Sequence, residues 1–170
     1  MRVTTQCGIG WLAMALMVAT RLWLGGAIST RRDQRLLTQV VALIAASAIV
    51  ARLLLVVDGF ASYVDALRPA FRPRVPHGGR GAPRKVPGPA LVIGQVVKQY
   101  AGKRVVGVRR RLRQGPRVLA ERLLAQTPGG QVLNTAYIER LHGTFRARLA
   151  PLARRTQHLV HRKELLQAGL

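Results

Sequence analysis

Every charged side chain between Asp65 and Glu121 is a cation: fourteen Lys and Arg, and no acid. That block is a basic region of its own, with no counter-charge inside it. The whole chain shares the bias, with 28 Lys and Arg against 6 acids in 170 residues and a formal net charge of +22. A compact fold carrying such charge repels itself, and a polyanion offsets it best, nucleic acid first and an acidic membrane surface second. With only three Phe, three Tyr and two Trp, stacking on single-stranded bases has little to work with. Salt-sensitive phosphate contact is the expected mode. No small-molecule substrate is expected. The length suits one domain with a real core. The single cysteine, Cys7, excludes an internal disulfide and any Cys-based zinc site, and fits a cytoplasmic chain.

A membrane reading competes with this. Gly8 to Thr20 is uncharged and apolar behind Arg2, like the start of a signal peptide. Val40 to Ala51 is a second uncharged run between Arg35 and Arg52. Each is about a dozen residues, short of the ~20 needed to span hydrocarbon. Buried elements are expected instead.

Trp11–Val18 and Thr20–Ile28 read as two strands of a hairpin turning at Ala19-Thr20-Arg21. Ser29 or Thr30 is expected to cap a helix, with Asp33 in its first turn and Leu36, Leu37, Val40, Val41, Ile44 and Ala48 as its apolar face. Leu53–Val57 reads as a strand buried on both faces, paired in parallel behind a crossover helix, and Asp58-Gly59 ends it. Phe60–Phe71 is a helical pattern with Tyr63, Val64 and Leu67 inward. Arg72–Pro89 holds five of the nine prolines, four glycines and five basic residues, a surface loop or arm. Leu91–Tyr100 and Arg104–Val108 form a basic strand pair around Gly102, followed by the four arginines of Arg109–Arg113. Val118–Leu124 is a short helix, and Pro128-Gly129-Gly130 turns the chain into the next element. There Ile138, Leu141, Phe145, Leu149 and Leu152 make one apolar helical face. Glu139 stands at its margin, with His142 and Arg146 on the same side, and Asn134 or Thr135 as a cap.

Two acids stand where chemistry is done. Asp58 follows an aliphatic strand, and open α/β sheets carry their sites at strand carboxyl ends. Glu139 lies on a later helix. Two or three carboxylates can hold a pair of Mg²⁺ or Mn²⁺ ions that activate a nucleophile and stabilise the leaving oxygen of a phosphodiester. A plain strand-ending turn at Asp58-Gly59 and a surface Glu–Arg pairing at Glu139 are the simpler accounts of each acid alone.

These residues also carry a resemblance. Thr20-Arg21-Leu22-Trp23-Leu24-Gly25-Gly26, Arg31-Arg32-Asp33, Val57-Asp58-Gly59 followed by Tyr63, Gln95-Val96-Val97-Lys98-Gln99-Tyr100, and Asn134 to Leu141 through Leu149 to Thr156 resemble bacterial insertion-sequence transposases of the DDE type. The match keeps its order over nearly the whole chain, and the last block is the most specific. It implies an α/β, ribonuclease-H-like mixed sheet flanked by helices, with a basic Pro/Gly-rich insertion. It also implies metal-dependent cleavage and strand transfer at insertion-sequence ends, and DNA and a second copy of the chain as partners in the bacterial nucleoid. The expected organisation is a first half of the core at 1–71, the basic insertion and strands at 72–130, and the Glu139 helix with a basic tail at 131–170. The family's amino-terminal DNA-recognition domain is expected to be absent, since nothing before Trp11 could supply one. The second and third acids of the triad fall on Asp58 and Glu139, which would ligate the metal. Lys98, Arg109, Arg110, Arg111, Arg113, Arg140 and Arg146 are the candidate DNA contacts.

Two departures matter. Where the family's first strand carries its first Asp, in a pattern like Leu-Ala-x-Ala-x-Asp-Val-Ala-Thr-Arg, this chain has Met17. A soft thioether does not replace a hard-oxygen ligand for Mg²⁺. His142 stands where Asn is expected, and could steady a scissile phosphate. The reading is therefore a degenerate catalytic core without activity. Its rivals are a non-catalytic basic nucleic-acid-binding protein and a small membrane protein.

Overall fold

The computed structural model describes residues 1–5, 8–48, 52–72, 74–75, 84–85, 90–128, 131–149, 152 and 163–168. Cys7, the Gly129-Gly130 turn, most of the Arg72–Pro89 arm and the tail from Ala153 to Arg162 lie outside them. The chain is α/β and divides into two compact units, Met1–Ser47 with Thr135–Leu170, and Ala48–Asn134. These boundaries differ from those expected at 71 and 130. The strand at Leu53–Val57 pairs with Leu91–Gln95 and so groups with the later segment.

In the first unit a three-stranded antiparallel sheet has the order β1 (Arg2–Thr5), β2 (Gly8–Met17), β3 (Leu22–Ser29). The hairpin was legible; β1 was not foreseen, and β2 starts earlier than expected. Alternation along β2 sorts large from small side chains. Leu12 and Met14 point to one face, Ala13 and Ala15 to the other, and all four are buried. On the small face Ala13 pairs with Ala27 and Ala15 with Gly25. The helix α1 (Gln34–Ser47) packs there on β2 and β3, and its Leu43 sits 2.9 Å from where a Cβ on Gly25 would lie. Three alanines and a glycine thus let the helix approach closely, while Leu36, Leu37, Val40 and Val41 are buried.

The start of α1 corrects one expectation. Asp33 itself is the cap, its Oδ1 accepting the Leu36 N–H at 3.0 Å, as a residue just before a helix is placed to do. Ser29 Oγ instead accepts the Arg31 N–H. On the large face, Leu12, Met14 and Leu152 form a cluster closed by Met1, Ile28, Ile138, Leu141, Phe145 and Leu149. Ile138, Leu141 and Phe145 are therefore the packing face of α4 (Ala136–Arg148), while Leu149 and Leu152, expected on the same helical face, join the cluster from beyond its end. Fully burying such a side chain contributes ~1.5–3 kcal/mol, and the half-buried residues of α4 contribute correspondingly less. Gln167, on the six-residue helix α5 (Lys163–Ala168), bonds the outer edge of β3. It accepts from the Ile28 N–H at 3.1 Å and donates to the Gly26 carbonyl at 3.0 Å.

In the second unit the sheet order is β4 (Leu53–Val57), β7 (Leu91–Ala101), β8 (Arg104–Gln114). Strand β4 runs parallel to β7, Leu53 opposite Leu91 through Val57 opposite Gln95; the parallel pairing agrees with the sequence, but its crossover runs through the helix after the strand and not the one before it. The burial of β4 does not agree. Leu91–Val96 is the buried centre, whereas β4 is half-buried throughout. The connection carries α2 (Ser62–Ala70) and a two-residue pairing of β5 (Arg74–Val75) with β6 (Arg84–Lys85). Val64, Ala66 and Leu67 are the buried side of α2. Arg68 donates from it to the Arg113 carbonyl at 3.0 Å. The Arg109–Arg113 run, expected to follow the hairpin, belongs to β8 itself. After it, α3 (Arg117–Ala125) packs on β4.

Candidate active site and nucleic-acid interface

Each acid position is best built from its own unit. Met17 is the last residue of β2, pairs with Leu22 across the turn, and is 46% exposed. The helix that carries Glu139 packs on the same strand. Its Phe145 meets Trp23 edge to face at 5.3 Å, and Trp23 pairs with Leu16, the residue before Met17. Met17 and the Glu139 helix therefore belong to the same unit. Glu139 is exposed in the first turn of α4, and its Oε1 accepts the Thr135 hydroxyl. Thr135 thus holds the carboxylate, where a backbone cap was expected. Asn134 instead donates to the Val132 carbonyl at 3.2 Å. His142 and Arg146 are half-buried on α4, and Arg140 is exposed.

Asp58 follows β4 directly and is exposed, its Oδ1 accepting the Phe60 N–H at 2.9 Å. That bond makes Asp58-Gly59 the turn expected of the dipeptide. A Cβ on Gly59 would lie 3.4 Å from the Val97 side chain, so the turn abuts β7 where Val96 and Val97 pair with Arg110 and Arg109. The second unit therefore sets one acid beside the basic hairpin.

Past Gln95, the last residue opposite β4, strand β7 continues to Ala101 paired with β8 alone among the described residues. This part is a two-stranded ribbon, Val96–Ala101 being ~20 Å long at ~3.4 Å per residue. From Gln99 to Arg113 every residue except Gly107 is exposed. Cross-strand pairs put Arg109 with Val97 and Arg111 with Gln95 on one face, and Arg110 with Val96 and Lys98 with Val108 on the other. Arg110 is engaged within the fold, its Nε donating to the Leu133 carbonyl at 2.8 Å. Leu133 in turn fills the space over Gly94, 2.5 Å from where a Cβ there would lie. Lys103 and Arg104 at the ribbon tip were not singled out from the sequence. The Gly102 turn between alternating runs was the signal that put them there. Arg117, at the start of α3, pairs instead with Glu121 at 2.7 Å, a hydrogen bond that raises its pKa further above the usual range.

Among the described residues no three of His, Cys, Asp and Glu gather as a metal-binding group. A two-metal phosphodiester site needs hard oxygen at each of its positions. A thioether at Met17 does not fit that donor set. No described helix is long and apolar enough to cross a membrane; of the two apolar runs weighed for one, the first lies in β2 and the second mostly in α1. No family model, curated protein or solved structure matches this chain.

Proposed function

We propose that this chain is the catalytic-core fragment of a DDE transposase with a ribonuclease-H-like fold. In this reading it keeps the DNA-binding surface and has lost metal-dependent cleavage with its first acid. One observation carries the reading. Met17 ends β2, Asp58 directly follows β4 and Glu139 lies in the first turn of α4, so each position assigned by the resemblance falls at a strand end or a helix start. The element order supports it too: an antiparallel hairpin, a helix, a strand parallel to a later one, and a later helix, α4, packed on the first hairpin. The DNA of transposon ends and targets is the partner, the bacterial nucleoid the place, and a homo-oligomer the working form.

The test is Mn²⁺-dependent nicking of plasmid DNA by the chain as it stands, by Met17→Asp, and by Met17→Asp with Glu139→Gln. The expected result is activity in Met17→Asp alone. Nicking by the unaltered chain would refute the view that Met17 silences it. Silence in all three, with DNA binding retained, would favour the binding-only reading that the charge distribution also supports.

A further inference from the structure

We infer that the projecting half of the β7–β8 ribbon enters the major groove of duplex DNA, with Lys103, Arg104, Arg109 and Arg111 on phosphates. This rests on the DNA-binding part of the proposed function and is independent of its chemistry. The ribbon is a long exposed edge structure, and β8 is the outer strand of its sheet. An exposed strand with Val105, Val106 and Val108 would pair with another copy unless something opposes it. Here Arg104, Arg109, Arg111 and Arg113 oppose it, because a second copy would bring like charges together along the same edge. The charge that repels a copy attracts a polyanion.

Shape selects among polyanions. Two strands lie ~4.8 Å apart, and the major groove of B-DNA, ~12 Å wide and ~8.5 Å deep, admits such a ribbon. The deep, narrow major groove of A-form RNA does not. Gly107 keeps the ribbon thin. Gln99 pairs with it and lies across the gap, its Oε1 2.6 Å from where a Cβ on Gly107 would stand. Tyr100 and Val106, 61% and 66% exposed, give the tip apolar surface for thymine methyl groups and sugar edges. The base of the ribbon is held rigidly by the buried Leu91–Val96 segment. It therefore presents its cations without the ordering loss of a loop.

The test measures binding of the full chain to a fluorescent duplex over 50–200 mM salt. It compares the unaltered chain with a ribbon variant (Lys103→Gln, Arg104→Gln, Arg109→Gln, Arg111→Gln) and a charge-matched control (Arg31→Gln, Arg35→Gln, Arg122→Gln, Arg148→Gln). Losing four phosphate contacts should lower the slope of log K against log salt by about 3.6, so salt weakens the unaltered chain ~10²-fold more than the ribbon variant over that range. The control should keep most of the slope, as should Arg104→Lys with Arg109→Lys and Arg111→Lys, which retain the charge. Pyrimidines with bulky groups at position 5, which fill the major groove, should weaken binding at least tenfold, and netropsin in the minor groove should not. Equal losses in ribbon variant and control would overturn the assignment, leaving DNA binding intact. So would A-form RNA or anionic vesicles bound as tightly as duplex DNA. No binding by the unaltered chain would overturn both this inference and the DNA-binding reading beneath it.

Discussion

Two glycines bound the β7–β8 ribbon, and replacing each with alanine separates two costs that are usually confounded. Gly102, in the turn at the tip, has φ +59° and nothing within 4 Å of an added Cβ. Gly115, at the base, has φ +90°, and its Cβ would lie 2.8 Å from the Leu91 carbonyl oxygen and 3.0 Å from the Val92 Cα. An L-residue in the left-handed region costs ~1–2 kcal/mol. Against this, alanine restricts the unfolded chain and returns ~0.4–1 kcal/mol. Gly102→Ala should therefore destabilise by only ~0.5–1 kcal/mol.

Gly115→Ala meets the same dihedral cost and a collision with backbone that no rotamer change relieves. The first residues of β7 must move, and they are among the most buried in the unit, with Leu91 at 2%, Val92 at 0% and Ile93 at 0% exposure. Overpacking of that kind adds ~1–3 kcal/mol, for a total of ~2–4 kcal/mol and a fall of roughly 2–4 °C in Tm for each kcal/mol. Urea unfolding of both variants and the parent, read by circular dichroism, measures the difference directly. Equal midpoints for the two variants, or a neutral Gly115→Ala, would refute the packing assigned to the start of β7.

Other expectations follow from single contacts. Asp33→Ala removes the side-chain cap on Leu36 and should cost ~1 kcal/mol by urea titration, with Asp33→Asn recovering most of it. A double-mutant cycle of Trp23→Leu and Phe145→Leu should return ~0.5–1.5 kcal/mol of coupling from their edge-to-face contact. Zero coupling would place α4 elsewhere. Leu133→Ala empties the site over Gly94 and should cost ~2–3 kcal/mol. Met17→Asp, at an exposed strand end, should shift stability by less than ~0.5 kcal/mol, so silence of that variant in the nicking assay would not be a folding failure.

The elements that were legible are those whose signal is local. The hairpin of β2 and β3 reads from its turn, the α4 stripe from Ile138 to Phe145 from its period, and β4 from five aliphatic residues in a row. Long-range partners were less so. Strand β4 looks fully buried by composition, yet it lies at one side of its sheet, half-buried. A run of apolar residues does not tell which strand takes the centre. β1 carries Arg2, Thr4 and Thr5 and has no apolar pattern to find. Arg109–Arg113 hid its strand because four charges mask period two, and only the pairing with Gly94–Val97 reveals it. Asp33 was assigned to the right turn but three or four positions too deep, a boundary shift that decides which oxygen meets Leu36.

The acids remain the test of whether chemistry ever belonged here, and their local roles make that test sharp. Asp58 Oδ1 holds the Phe60 N–H and Glu139 Oε1 holds the Thr135 hydroxyl, so alanine at either position would remove a structural bond along with a charge. The amides do not. Asp58→Asn and Glu139→Gln keep an acceptor oxygen in place and remove only the negative charge that a divalent cation requires. If these acids serve only as turn and helix-start residues, the amides should match the parent in stability within ~0.5 kcal/mol, while Asp58→Ala loses ~0.5–1.5 kcal/mol with its hydrogen bond. Nothing else should change. If they are the remaining ligands of a triad, each amide should also abolish Mn²⁺-dependent nicking in the Met17→Asp background, while leaving duplex binding and its salt slope as they were. Loss of stability in the amides would mean that charge itself holds these turns. Retained nicking in either amide would strip that acid of its assigned role, however well the fold places it.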